Sequence, residues 1–238
     1  LAAAQELALL GADVTLFARN DQSLKAAMAT LDHLQGQNHQ ILVADFFDIE
    51  YVKNVVAENN AYHILVNNTG GPPGGLAIEA DLEEFERAFS SHLLNNQIIS
   101  QALVPFMKTA GYGRIINIIS TSVKAPLAGL GVSNTIRGAV NSWSKTVSNE
   151  LGQFGITVNN VLPGATNTTR LKTIIESKSN KSGQSKVEVE ESMKREIPLR
   201  RFAEPEEVGA TVAFLASPAA AYINGVSIAV DGGRTNCF

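Results

Sequence analysis

Apolar positions along the chain follow two alternating rhythms. Leu1 to Leu10 (LAAAQELALL) reads as a helix that Gly11 stops. Ala12 to Ala18 (ADVTLFA) alternates around β-branched residues and predicts a strand. A helix from about Asp21 to Leu34 follows, with Leu24, Ala27, Met28 and Leu31 at helical spacing. The pattern then gives a strand at Gln40 to Ala44, a helix at Ile49 to Glu58 and a strand at Ile64 to Asn67. Leu82 to Lys108 predicts one long helix, Arg114 to Ser120 a strand, Asn134 to Phe154 a second long helix and Ile156 to Leu162 a strand. Ile136, Val140, Trp143, Val147 and Leu151 share one face of that second helix. Helices near Glu188 to Arg195 and Pro205 to Ala216 precede a last strand at Ser227 to Val230.

Strands alternating with helices predict an α/β fold: a doubly wound, parallel, Rossmann-type sheet in a single domain. Ligands of such sheets sit at the carboxyl ends of the strands, so each loop after a strand is a candidate site. The polar stretch from Thr166 to Lys194 (166–194), with SKSNKSGQSK at its centre, is expected to be a mobile excursion on the substrate side. Its basic residues are read as a solvated face.

Composition narrows the function classes. With 45% hydrophobic and 18% charged residues, the 238-residue chain can bury a large core, and disorder is not expected. A net charge of −4 argues against a nucleic-acid partner. No apolar run approaches the roughly 18 residues that cross a bilayer, so no membrane partner is expected. The single cysteine, Cys237, excludes an internal disulfide and a cysteine metal cluster; no metal site is expected. Next to the C-terminus it is a poor candidate for a catalytic thiol. Without a visible signal peptide, the expected location is the cytoplasm.

The loops supply the candidate chemistry. Arg19, after the first predicted strand, suits a ribose 2′-phosphate and points to NADP rather than NAD; an exposed arginine near a helix start is the alternative. Asp45 either accepts from an adenine amine or caps the next helix. In Asn67-Asn68-Thr69-Gly70-Gly71, small and amide residues allow close backbone approach, which makes Asn67 and Gly70 cofactor candidates. Pro163-Gly164 forms a rigid turn, and Thr168 lies within reach of a carboxamide.

These segments in this order resemble the short-chain dehydrogenase/reductase family. The resemblance rests on NNTG (Asn67 to Gly70), GRIINIIS (Gly113 to Ser120), ITVNNVLPG (Ile156 to Gly164) and VDGG (Val230 to Gly233). IPLRRFAEPEEV and FLASPAAAYINGVSIAVDGG resemble bacterial 3-oxoacyl-carrier-protein reductases. NNTGGPPGG, the VKAP stretch and the SNTIR segment resemble a divergent reductase-like subgroup of them. The resemblance implies a first strand and a glycine-rich phosphate loop ahead of Leu1, so about fifteen to twenty residues are expected to be absent. It also implies a small carbonyl or acyl substrate, and a homodimer or homotetramer built on the two long helices.

The resemblance further implies an Asn-Ser-Tyr-Lys tetrad. Ser120 matches the serine. The tyrosine place falls on Ser133, the lysine place on Arg137 and the asparagine place on His92. A serine hydroxyl is a far weaker acid than a tyrosine and shorter by a ring. Arg137 can still bind ribose hydroxyls but, staying protonated, cannot relay protons. His92 is expected to titrate near neutrality and is a candidate proton source, or else a hydrogen-bonded helix histidine. Ser133 also reads as a helix start, and Ser120 as a strand-end cap. Neither Tyr112 nor Tyr222 has a lysine four residues on. Two functions follow: an NADP(H)-dependent carbonyl reductase, or a catalytically degenerate NADP-binding sensor or partner subunit.

Overall fold

The computed structural model describes residues 1–236 of the chain; Cys237 lies outside them. The elements run α1 (Ala2–Leu9), β1 (Thr15–Ala18), α2 (Asp21–Met28), β2 (Gln40–Val43), α3 (Ile49–Glu58), β3 (Ile64–Asn67) and α4 (Leu82–Phe89). A π-helical turn (Ser90–Leu94) links α4 to α5 (Asn95–Ala110), followed by β4 (Gly113–Ile118), α6 (Gly131–Leu151) and β5 (Ile156–Pro163). The chain continues with α7 (Thr169–Ser182), α8 (Lys186–Arg195), α9 (Pro205–Ala216) and β6 (Ser227–Val230). All strand pairs are parallel, in a two-stranded leaf β1-β2 and a four-stranded leaf β3-β4-β5-β6.

The period of two in the strands sorts residues to opposite layers. Ile115 and Val158 face a core with Val52 and Val56 of α3 and Ile99, Leu103 and Met107 of α5. Ile116, the next residue in β4, and Val161, three residues on in β5, face the other way, onto Val212, Leu215 and Ala216 of α9 and Ala3 and Leu7 of α1. This two-sided burial is why β5 is buried continuously from Ile156 to Leu162 instead of alternating between buried and exposed positions.

Polar residues interrupt that apolar sheet along one line. The register pairs Asn67 with Asn117, Asn117 with Asn160, and Asn160 with Ser227. Their side chains are joined across the four strands. Asn67 Nδ2 donates to Asn117 Oδ1 (2.9 Å), and Asn117 Nδ2 to Asn160 Oδ1 (3.0 Å). Asn160 Nδ2 donates to Ser227 Oγ (3.1 Å) and to Asn141 Oδ1 of α6 (3.1 Å). Asn117 is fully buried. A one-residue slip would point these amides into the apolar layer of α9, so the ladder fixes register as well as satisfying itself.

The structure departs from the expected boundaries where tertiary contacts override local spacing. The strand expected from Ala12 begins at Thr15. Helix α2 ends at Met28, not Leu34; Leu31 is buried from beyond the helix end, so its helical spacing is coincidental. The long helix expected from Leu82 to Lys108 is broken by the π turn. The stretch from Thr166 to Lys194, expected as a mobile polar excursion, carries α7 and most of α8. Leu171 and Ile175 pack there on Val189, Met193, Ile197 and Phe202 in a small separate core. Only a few apolar residues seat these helices, which is why composition masked α7. The Ser185–Glu188 capping box starts α8.

The amide ladder generates a prediction. Asn117→Ala leaves the Asn67 donor and the Asn160 acceptor buried without their partner, and a loss of about 3 kcal/mol is expected. Denaturant unfolding checks it: a lowered midpoint at unchanged slope is the expected outcome. A loss within about 0.5 kcal/mol, the usual range for neutral substitutions, would refute the ladder's role.

Candidate functional site

The carboxyl ends of β3, β4 and β5 bring most of the sequence candidates into one cleft. The turn after β3 holds Thr69, Gly70 and Gly71. A side chain placed on Gly70 would meet nothing within 4 Å, so this backbone is open to close approach. Beside it, a cavity of about 350 Å³ is lined by Gly70 to Pro73 together with Phe47, Ser91, Arg87 and the carboxylates of Asp81, Glu83 and Glu84.

His92 sits in the π turn, 5% exposed. Such turns insert one residue into a helix and re-aim its side chains. Nδ1 of His92 lies 2.5 Å from Thr69 Oγ1, while Nε2 is buried without a partner. Burial lowers the His92 pKa to about 4; the nearby Arg137 and Arg170 cations lower it too, against a backbone contact with Gly70. The expectation that His92 titrates near neutrality is therefore overturned: at pH 7 it is a neutral imidazole.

Arg137 projects from α6 to the end of β4. Nη1 donates to the carbonyls of Ile119 (2.8 Å) and Ile118 (3.3 Å), and Nε donates to Ser133 Oγ (3.3 Å). Burial, then repulsion from Arg170, brings its pKa to about 10, so it remains a cation at neutral pH as the sequence expects. Ser133 is buried one turn before it, inside α6 rather than before its start, because the helix begins at Gly131. Ser120 caps the 3₁₀ turn Thr121–Val123, where its Oγ accepts from Ser122 N–H (3.1 Å). Since each of these serine oxygens accepts from a neighbour, both hydroxyl protons stay available to a ligand.

Other candidates lie further out or are engaged elsewhere. Arg19 is exposed beyond the end of β1, next to Asn20, which caps α2. Asp45 is exposed and accepts from Phe47 N–H (3.0 Å); the cap of α3 is Asp48, so the capping alternative for Asp45 falls. Asn67 is buried and its Nδ2 is held in the ladder by Asn117, so that donor is engaged within the sheet. Thr168 caps α7, accepting from Leu171 N–H (3.4 Å). Gly164 lies so close to β6 that a side chain would meet Asp231 Cβ at 2.7 Å. Tyr112 donates to the Ala216 carbonyl (2.6 Å) and Tyr222 is fully exposed, so neither tyrosine joins the cleft.

Two residues of the cleft escaped the sequence reading. Thr69 lay inside the quoted loop, but its histidine partner is 23 residues away. Arg170 donates to the carbonyls of Gly71 (3.3 Å) and Pro72 (3.1 Å). Its signal was an arginine two positions after Thr168 in the strand-end segment.

Comparison with known proteins finds reductases. Residues 1–235 match a family model described as enoyl-(acyl carrier protein) reductase. The chain is 32% identical over 234 residues to the 3-oxoacyl-(acyl-carrier-protein) reductase FabG of Rickettsia bellii, covering 98% of this chain and 90% of that one. It superposes on the L-sorbose reductase of Gluconobacter frateurii, solved with NADPH and L-sorbose, with a TM-score of 0.92 and 28% identity. That match covers 100% of this chain and 92% of the other. An actinorhodin polyketide ketoreductase variant solved with NADPH matches with a TM-score of 0.91 and 27% identity, covering 99% and 92%. Among the described residues, no helix is long and apolar enough to cross a membrane.

The buried histidine makes a pH prediction. Its pKa is about 4 in the folded protein against 6.5 for an unperturbed imidazole. The unfolded chain thus binds the proton more tightly, so the contribution is fully present above pH 6.5 and is lost as pH falls through 4. The whole effect is about 3 kcal/mol. NMR titration of the ring should give a midpoint near 4, and His92→Gln should flatten the acid limb of the stability curve. A ring midpoint above 6 would refute this account of its environment.

Proposed function

The chain belongs to the short-chain dehydrogenase/reductase family, and from that premise we propose that it is an oxidoreductase that uses NADP(H) to reduce a carbonyl, or to run the reverse alcohol oxidation. The observation that carries the reading is the cleft at the strand ends, where hydroxyl and guanidinium donors converge beside an open glycine turn. These residues fit a dinucleotide. Gly70 leaves room for it. Arg19, exposed and with no carboxylate partner among the described residues, suits a 2′-phosphate, which favours NADP over NAD. Asp45 is assigned to the adenine end, Arg137 to the nicotinamide ribose and the Pro163–Gly164 turn to the carboxamide side. Thr168 joins that side through its backbone, since its hydroxyl is the α7 cap. Bound there, the nicotinamide supplies the hydride.

The chain's own residues handle the carbonyl oxygen. Ser120 and Ser133 stand at the serine and tyrosine places of the family tetrad, and His92 and Arg137 at the asparagine and lysine places. In this altered tetrad the two hydroxyls hold the oxygen, and Arg137, bonded to Ser133, stabilises the negative charge that develops on it. Neutral His92 holds the Thr69 loop in place. The proton comes from water, because neither His92, at about 4, nor Arg137, at about 10, titrates near neutrality. That same absence favours a second reading, a catalytically silent NADP-binding sensor or partner subunit. Under either reading a cytoplasmic homodimer or homotetramer is proposed, with Leu82, Phe89 and Leu94 as exposed apolar contacts along α4 and the π turn.

NADPH oxidation against a panel of ketones and 3-oxoacyl thioesters tests the choice. The reductase reading expects turnover that Ser120→Ala cuts about a hundredfold in kcat/KM. NADPH binding with no turnover across the panel selects the silent reading. A rate gain from Ser133→Tyr with Arg137→Lys then shows that only the proton donor was wanting.

A further inference from the structure

Two guanidiniums meet at one point of the cleft. A side-chain carbon built on Gly71 would lie 3.2 Å from Arg137 Nη2 and 3.0 Å from Arg170 Nη2. The two residues come from different elements, α6 and the first turn of α7. Neither is paired with a carboxylate among the described residues, whose ion pairs all lie elsewhere. Both are held instead by backbone carbonyls: Arg137 by Ile118 and Ile119, Arg170 by Gly71 and Pro72.

Such an arrangement is costly without an anion. Like charges repel more strongly as water is withdrawn, and each cation lowers the proton affinity of the groups around it, His92 included. His92 adds a buried ring nitrogen with no partner to the same cluster. Asp81, Glu83 and Glu84 line the cavity beside Gly71, but none of them is ion-paired with either arginine. A carboxylate or phosphate accepts from two guanidiniums at once, through parallel charge-assisted hydrogen bonds.

We propose that the Arg137–Arg170 pair over Gly71 is an oxyanion site that selects substrates carrying a carboxylate or phosphate near the reacting carbonyl. The inference rests on the reductase reading and gives that site its substrate class: small keto acids and phosphorylated ketones rather than neutral ketones. Arg170 is the specificity-determining member, because it is exposed and enters from the stretch that begins α7. Arg137 serves both the oxyanion and the strand end that carries Ser120. The same chemistry could be met by the phosphates of the dinucleotide, so the test separates the two sources.

The test is calorimetric titration of the NADPH-saturated protein with two matched pairs: acetoacetate against methyl acetoacetate, and dihydroxyacetone phosphate against dihydroxyacetone. One charged member is expected to bind at least about tenfold more tightly than its neutral partner. Arg170→Gln should abolish that preference with NADPH affinity unchanged, and Arg170→Lys should retain part of it. Equal binding within both pairs, or a preference that Arg170→Gln leaves intact, overturns the proposal. Weakening of NADPH by about tenfold in Arg170→Gln, with no charged-over-neutral preference in the parent protein, assigns the pair to the cofactor and also overturns it. Binding is read without turnover, so the two readings fail separately. Anion preference with no NADPH oxidation removes the reductase reading and leaves the site. Oxidation of neutral and charged members at equal kcat/KM does the reverse.

Discussion

The line of hydrogen bonds from Asn67 through Asn117 and Asn160 to Ser227 is the constraint on which the site depends. A fully buried amide is costly unless every donor and acceptor finds a partner. Here the partners along the ladder are supplied by neighbouring strands at one register only, and α6 supplies others. Register in the four-stranded leaf, and with it the position of its strand ends, is therefore tied to four polar residues in a largely apolar sheet. The link to α6 through Asn141 and Ser144 extends the constraint to the helix that carries Ser133 and Arg137.

Arg137 closes the same circuit from the other side. Its bonds to Ile118 and Ile119 fasten α6 to the end of β4, immediately before Ser120. One side chain thus sets the spacing between the two hydroxyls assigned to the carbonyl oxygen. The π turn performs the corresponding service for His92, seating it against Thr69. What results is a cluster rich in donors and poor in acids. Within the described residues it holds no group that changes charge near neutral pH, which makes it suited to holding an anionic ligand and to stabilising charge rather than to shuttling protons.

The periodicities of the chain determined the α/β architecture, the parallel sheet and the placing of the candidate loops, because a strand buried on both faces and an amphipathic helix leave distinct apolar spacings. Family motifs then located Ser120, Ser133, Arg137 and His92. Other features were decided only in three dimensions. Asn67 reads as a strand-end residue near a ligand, and only the fold reveals that its amide also joins the ladder. Helix α7 has too few apolar residues to announce itself, and forms because Leu171 and Ile175 find α8. Arg137 and Arg170 converge on Gly71 from 33 positions apart in sequence, and no local pattern encodes it. The protonation of His92 follows from burial and from those two cations, both properties of the packed molecule. Sequence alone thus determined which residues stand at the strand ends; tertiary structure decided what each of them faces, because polarity and charge depend on neighbours that the chain brings together only by folding.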